Sequence, residues 1–253
     1  MRFRLLPLAA ALAVAAACSE GTVTLAGNQG VSVSTRSGRT ASAPAGAAAS
    51  VLDDTLTAGN DTLIITSAEV VLREIEIDRG DDGGCNDGGD ACEEIEFGPI
   101  LLDLPLEPGA ERFVTVELPA GTYTEVEFEV HKPDDDDPAD IDFLQQHPDF
   151  ADISIRVQGV FIQGATSTPF VYETDLNVDQ ELELSPPLVI TAETATNVTI
   201  FVNLDVWFRG AGGALVDPAS ANDGGPNENL VRDNIIDSFR AFEDRDEDGD
   251  DED

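Results

Sequence analysis

The sequence predicts an all-β fold: an immunoglobulin-like or prealbumin-like β-sandwich with one short inserted helix and one C-terminal amphipathic helix. Three observations lead there. About eight or nine short runs alternate apolar with polar residues, the pattern of a strand with one buried and one wet face. Gly, Pro, Asn and Asp punctuate the runs. Only two stretches carry helical spacing, which is too few for an alternating βα fold.

Arg2 and Arg4 open the chain, and Leu5–Ala17 is an apolar run too short to cross a bilayer. Residues 1–17 read as a signal peptide of the lipoprotein type. Cys18, after small residues, resembles the lipidated cysteine of a bacterial lipobox, although Ala15 stands where leucine is usual. Ala15-Ala16-Ala17 also suits ordinary signal peptidase cleavage. Cys18 as a lipid anchor accounts for an odd cysteine, because Cys85 and Cys92 can pair with each other. Ser19 after it points to an outer-membrane or cell-surface address.

Residues 18–50 are rich in Gly, Ser, Thr and Ala and have no aromatic residue. They read as a flexible tether with a mean reach of roughly 30 Å. The competing reading makes Thr22–Ser34 an edge strand. The sandwich is expected over 51–242. Thr62–Ile77 is strongly β-prone, and its apolar parity changes near Arg73, which predicts a bulge. Leu102, Leu104 and Leu106 mark the next strand. Glu111–Val130 reads as a hairpin: Val114, Val116 and Leu118, then Pro119-Ala120-Gly121-Thr122, then Val126, Phe128 and Val130.

Asp137 followed by Pro138 is a helix start, a capping carboxylate and then proline in the first turn, so Ala139–His147 is expected as a short helix. Strands follow at Ile153–Val157, Phe170–Leu176 and Gln180–Leu184. Pro186-Pro187 is expected to cut the chain before Leu188–Thr191. Thr196–Phe208 alternates cleanly, with Trp207 opposite Val206 and Phe208. Leu230–Phe242 spaces Val231, Ile235, Phe239 and Phe242 on one helical stripe. Residues 243–253 form an acidic tail with nine carboxylates.

The chain of 253 residues carries 51 Asp+Glu against 13 Lys+Arg, and Lys132 is its one lysine. Such a charge repels nucleic acid and anionic headgroups and favours divalent cations or basic partners. It also suits a salty medium. Catalytic signatures are missing: no G-x-S-x-G, no P-loop, no G-x-G-x-x-G, and His131 and His147 are the only histidines. No enzyme is expected. A carboxylate-dependent glycoside hydrolase is the catalytic alternative, because 51 acids form pairs by chance.

Two segments are candidate calcium sites. Cys85 and Cys92 bracket an acidic glycine loop, and a disulfide there would hold Asp81, Asp82, Asp87 and Asp90 together. Such a ring stabilises by about 2–3 kcal/mol. Asp244, Asp246, Asp248 and Gly249 resemble the first half of an EF-hand loop, but the chain ends before a bidentate glutamate. A stapled surface loop and a solvated tail are the plainer readings.

Cys18, Val70–Ile77, Leu102–Leu106 and the PAGTYT turn together resemble an uncharacterised group of bacterial lipoproteins with a β-sandwich domain. The resemblance covers about Thr62–Phe208. It implies the fold and an envelope address, and brings no activity or site residue. The expected function is a monomeric, membrane-tethered binding or structural module with calcium as a candidate ligand. A haloadapted envelope protein with no specific ligand is the other alternative.

Overall fold

The computed structural model describes residues 29–37, 54–79, 99–106, 111–118, 120–134, 136–191 and 196–244. Cys18, Cys85 and Cys92 lie outside them, as do Asp81, Asp82, Asp87, Asp90, Asp246 and Asp248.

The longest strand, β3 (Asp61–Arg79), is the spine of the larger sheet. Its apolar residues change face twice. Leu63 and Ile65 are buried, then Ala68, Val70 and Leu72, then Ile75 and Ile77. Each change is a bulge, since one extra residue flips every later side chain to the other face. The bulge expected near Arg73 lies between Arg73 and Glu76, with Glu74 in the left-handed region at φ 53°. A second falls between Ile65 and Ser67. Gly159 sits opposite that second bulge, where a Cβ would lie 2.0 Å from the Ile64 carbonyl oxygen.

The bends let β3 serve two neighbours in succession. Strand β7 (Ile155–Gln163) pairs along Asp61–Val70, and β6 (Gly121–Val130) pairs along Leu72–Arg79. The opposite edge of β3 takes β2 (Asp54–Ala58) and β4 (Ile100–Asp103). Val71 closes the seam: its N–H donates to Ser154 O at 2.8 Å, and its carbonyl accepts from His131 N at 3.1 Å. Strand β8 (Thr166–Thr174) follows β7, and β9 (Val178–Ile190) follows β6. The outer edge of β8 is blocked. Pro169 has no N–H to offer, and the Asn222 side-chain amide bonds Val171 O and Glu173 N as a neighbouring strand would.

A smaller sheet runs β11–β10–β1–β5. Strand β1 (Gln29–Ser37) lies between β10 (Thr196–Val202), to which it is parallel, and β5 (Glu111–Leu118), to which it is antiparallel. Strand β11 (Phe239–Glu243) completes it. One core joins both sheets: Val33, Val198, Ile200 and Val202 from the smaller meet Leu63, Val126 and Phe128 from the larger. Phe128 packs edge-on against Phe239 at 5.4 Å across the interior. The architecture is thus mostly β with two sheets and few short helices, of the sandwich kind.

Helix α1 (Pro138–Gln146) starts where expected. The Asp137 carboxylate accepts the Ala139 N–H at 2.7 Å, and proline occupies the first position. It covers the seam of β3 through a small second core of Val71, Phe143 and Phe150.

Five expectations are corrected. First, β5 and β6 form no hairpin. They lie in different sheets, so the PAGTYT turn is an arch between layers. Second, residues 29–37 are not tether but an interior strand. Third, β9 runs through Pro186-Pro187, which form an irregularity where the pairing with β6 skips from Leu188 to Glu183. Fourth, β10 stops at Val202 because the Asn203 side chain accepts the Asp205 N–H and caps helix α2 (Leu204–Trp207). Trp207 is then fully buried, and its Nε1–H donates to Ser238 Oγ at 2.8 Å. Fifth, helix α3 spans only Glu228–Ile236. The Ser238 hydroxyl takes the Ile235 carbonyl at 2.6 Å, and Phe239 enters β11. Spacing of three between Phe239 and Phe242 suits a helix stripe, yet Phe239 and Ala241 alternate as a strand.

Candidate cation-binding face

The wet face of β3–β6–β9 collects acids from three period-2 segments. Beyond its bulge at Arg73–Glu76, β3 presents Glu76 and Asp78. Strand β6 presents Glu125, Glu127 and Glu129, with Val126, Phe128 and Val130 buried beneath. Strand β9 adds Asp179, Glu181 and Glu183. The register sets them directly opposite one another in three rows: Asp78–Glu125–Glu183, Glu76–Glu127–Glu181 and Arg73–Glu129–Asp179. Within these three rows eight carboxylates accompany one guanidinium, and Arg73 already bonds Glu74 at 2.8 Å and Asp137 at 3.3 Å.

Like charges directly opposite across a ladder destabilise a sheet. The strain converges on Glu127. Burial and then Asp78, Glu125, Glu181 and Glu76 push its ionisation up to about 7. One oxygen each from Glu76, Asp78 and Glu127 all lie within 4.8 Å of one another. A shared proton or a cation is what relieves such an arrangement. Hard oxygen ligands in this number suit calcium or magnesium completed by waters, rather than a thiolate- or imidazole-seeking metal.

Sequence reading passed over these residues because Glu125, Glu127 and Glu129 match an ordinary solvated face. The available signal was the coincidence of three acidic alternations: Glu74-Ile-Glu-Ile-Asp78, Glu125-Val-Glu-Phe-Glu129 and Asp179-Gln-Glu-Leu-Glu183. Asp81 and Asp82, expected calcium ligands outside the described residues, follow Asp78 within four positions of sequence.

Asp244, expected in an acidic tail and a calcium half-loop, is the one residue of that loop among the described residues. It is fully buried beside β10. Thr199 Oγ–H donates to its Oδ2 at 2.8 Å, the Asn197 amide approaches the same oxygen at 3.5 Å, and its N–H donates to Asn197 O at 2.9 Å. Ser34 Oγ–H extends the row to Asn197 Oδ1 at 2.8 Å. Asn197 and Thr199, polar positions in the alternation of Thr196–Phe208, are interior.

A second buried acid, Asp140 in the first turn of α1, accepts His131 Nε2–H at 2.6 Å and Asp134 N–H at 3.1 Å. His131 Nδ1 lies 3.5 Å from Glu129 Oε1. This pair ties α1 to the last row of the acidic face. Both of its members are buried.

No family model matches the chain, and no curated protein or solved structure matches it either.

Proposed function

We propose that the protein is an exported, lipid-anchored β-sandwich of the cell envelope that acts as a non-catalytic binding or structural module, with the β3–β6–β9 face as its cation-binding surface. Lipid anchoring rests on Cys18 and the signal-like residues 1–17. The immunoglobulin-like or prealbumin-like type rests on the pattern of short alternating strands, and kinship with β-sandwich lipoproteins on the sequence resemblance. The observation that supports the binding role is the register that brings oxygens of Glu76, Asp78 and Glu127 within 4.8 Å of one another.

The hydrolase alternative needs a desolvated acid beside an ionised partner in a cleft. Among the described residues the carboxyls displaced upward, Glu127 and Glu69, lie on strands of the large sheet.

A thermal melt with and without calcium at fixed ionic strength tests the binding role, on the mature chain and on Glu127→Gln. Calcium at millimolar concentration is expected to raise the melting temperature, and Glu127→Gln to reduce that rise. Equal stabilisation by sodium at matched ionic strength would establish the haloadapted reading instead. Palmitate labelling of cells expressing the chain and Cys18→Ser tests the anchor, with label expected on the first alone.

A further inference from the structure

Away from the acidic face, an open cleft of about 250 Å³ lies between the end of β8 and helix α3. None of its lining residues belongs to the three carboxylate rows. Its volume equals roughly eight waters, room for a small organic molecule. Three features set its chemistry.

The first is Arg232. It stands one turn beyond Glu228 on α3, and both line the cleft. Its Nη1 donates to Asp175 Oδ1 at 2.6 Å and to Thr174 Oγ1 at 3.0 Å. Its Nε and Nη2 groups make no hydrogen bond among the described residues. That edge of a guanidinium is a fork matched to a carboxylate. Asp175, held below the usual carboxylate range by its bond to Arg232, keeps the guanidinium in place.

The second feature is a set of carboxylates with different commitments. Glu173 is engaged by Arg156 Nε at 2.9 Å, and Glu228 accepts the Gly224 N–H at 2.8 Å. Asp223 has no partner among the described residues. Asp152 has only Lys132 Nζ at 3.7 Å. These two exposed acids are available to an ammonium group. The third feature is Ile153, the one apolar side chain on the wall.

We propose that this cleft binds a free α-amino acid as its zwitterion. The ligand carboxylate takes the Nε–Nη2 edge of Arg232, its ammonium lies among Asp223 and Asp152, and an apolar side chain rests on Ile153. A zwitterion also avoids the penalty that a net charge of −38 places on any anion.

Calorimetric titration with three matched probes tests this: L-leucine, 3-methylbutylamine, which lacks the carboxylate, and 4-methylpentanoate, which lacks the amine. L-leucine is expected to bind once per chain, with each half-molecule about tenfold weaker or more. Arg232→Gln and Asp223→Asn are each expected to weaken L-leucine by a similar factor. Asp223 is exposed, so its replacement leaves the fold intact, and far-UV circular dichroism checks the arginine variant. The proposal is overturned if 3-methylbutylamine binds as tightly as L-leucine, if both substitutions leave binding unchanged, or if L-leucine gives no signal at about 10 mM. None of these outcomes bears on calcium at the acidic face.

Discussion

Two regions of this molecule treat a carboxylate in opposite ways. Beside the smaller sheet, Asp244 is wholly buried, yet the Thr199 hydroxyl and the Asn197 amide point at it. In the larger sheet, Glu127 is only half-buried, yet its neighbours across both ladders are acids. Burial alone therefore does not rank the cost of a carboxylate. A buried acid with donors is a fixed part of the fold, whereas a wetter acid among acids is a place where a proton or a cation is gained.

The contrast breaks most severely if the shared core is cut. Phe128→Ala, one position from Glu127 but on the inner face, is expected to cost about 3–5 kcal/mol by chemical denaturation. A loss below about 1 kcal/mol would mean that Phe128 and Phe239 do not join the sheets. Thr199→Val comes next, at roughly 1–3 kcal/mol, because it strips a hydroxyl donor from a buried carboxylate while keeping the volume. A neutral result there would erase the distinction drawn for Asp244.

The smallest effect has the opposite sign. Glu127 is raised in the folded state from 4.5 to about 7, so the native protein holds a proton that the unfolded chain releases. Its contribution is fully present below pH 4.5 and is lost as pH rises through about 7. Glu127→Gln is expected to stabilise at pH 8 by roughly 0.5–1 kcal/mol, the size of one opposed pair, and to lose that advantage by pH 5. Melts of both proteins across this range measure the difference. A pH-independent gain would assign it to something other than the acid's charge.

Much of the fold was legible because its signals are local. Asp137 and Pro138 announce α1 with a cap and a fixed φ. The parity change near Arg73 announces a bulge. Pairing is not local. The alternation in 111–130 shows that each strand has a buried face, but a hairpin and an arch bury that face equally well. Only the partners of β5 and β6, β1 and β3, decide between them. The acidic face was hidden for the same reason, since Glu76, Glu127 and Glu181 become neighbours only through register. The burial of Asp244 was hidden because nine carboxylates among the last eleven residues look like solvated tail. Its donors, Thr199 and Asn197, lie some 45 residues earlier.

If Cys18 carries the lipid proposed above, the position of β1 sets how far this body stands from a bilayer. With the proposed anchor at Cys18 and a strand beginning at Gln29, ten residues, 19–28, would separate the two. A coil of that length spans about 18 Å, and even a taut one about 35 Å. The low-complexity stretch Ala41–Ala49 lies between β1 and β2 and adds nothing to it. The domain would thus ride close to the headgroups, within about two to four Debye lengths at physiological salt. An anionic leaflet would then push against its carboxylates and bias which side faces outward.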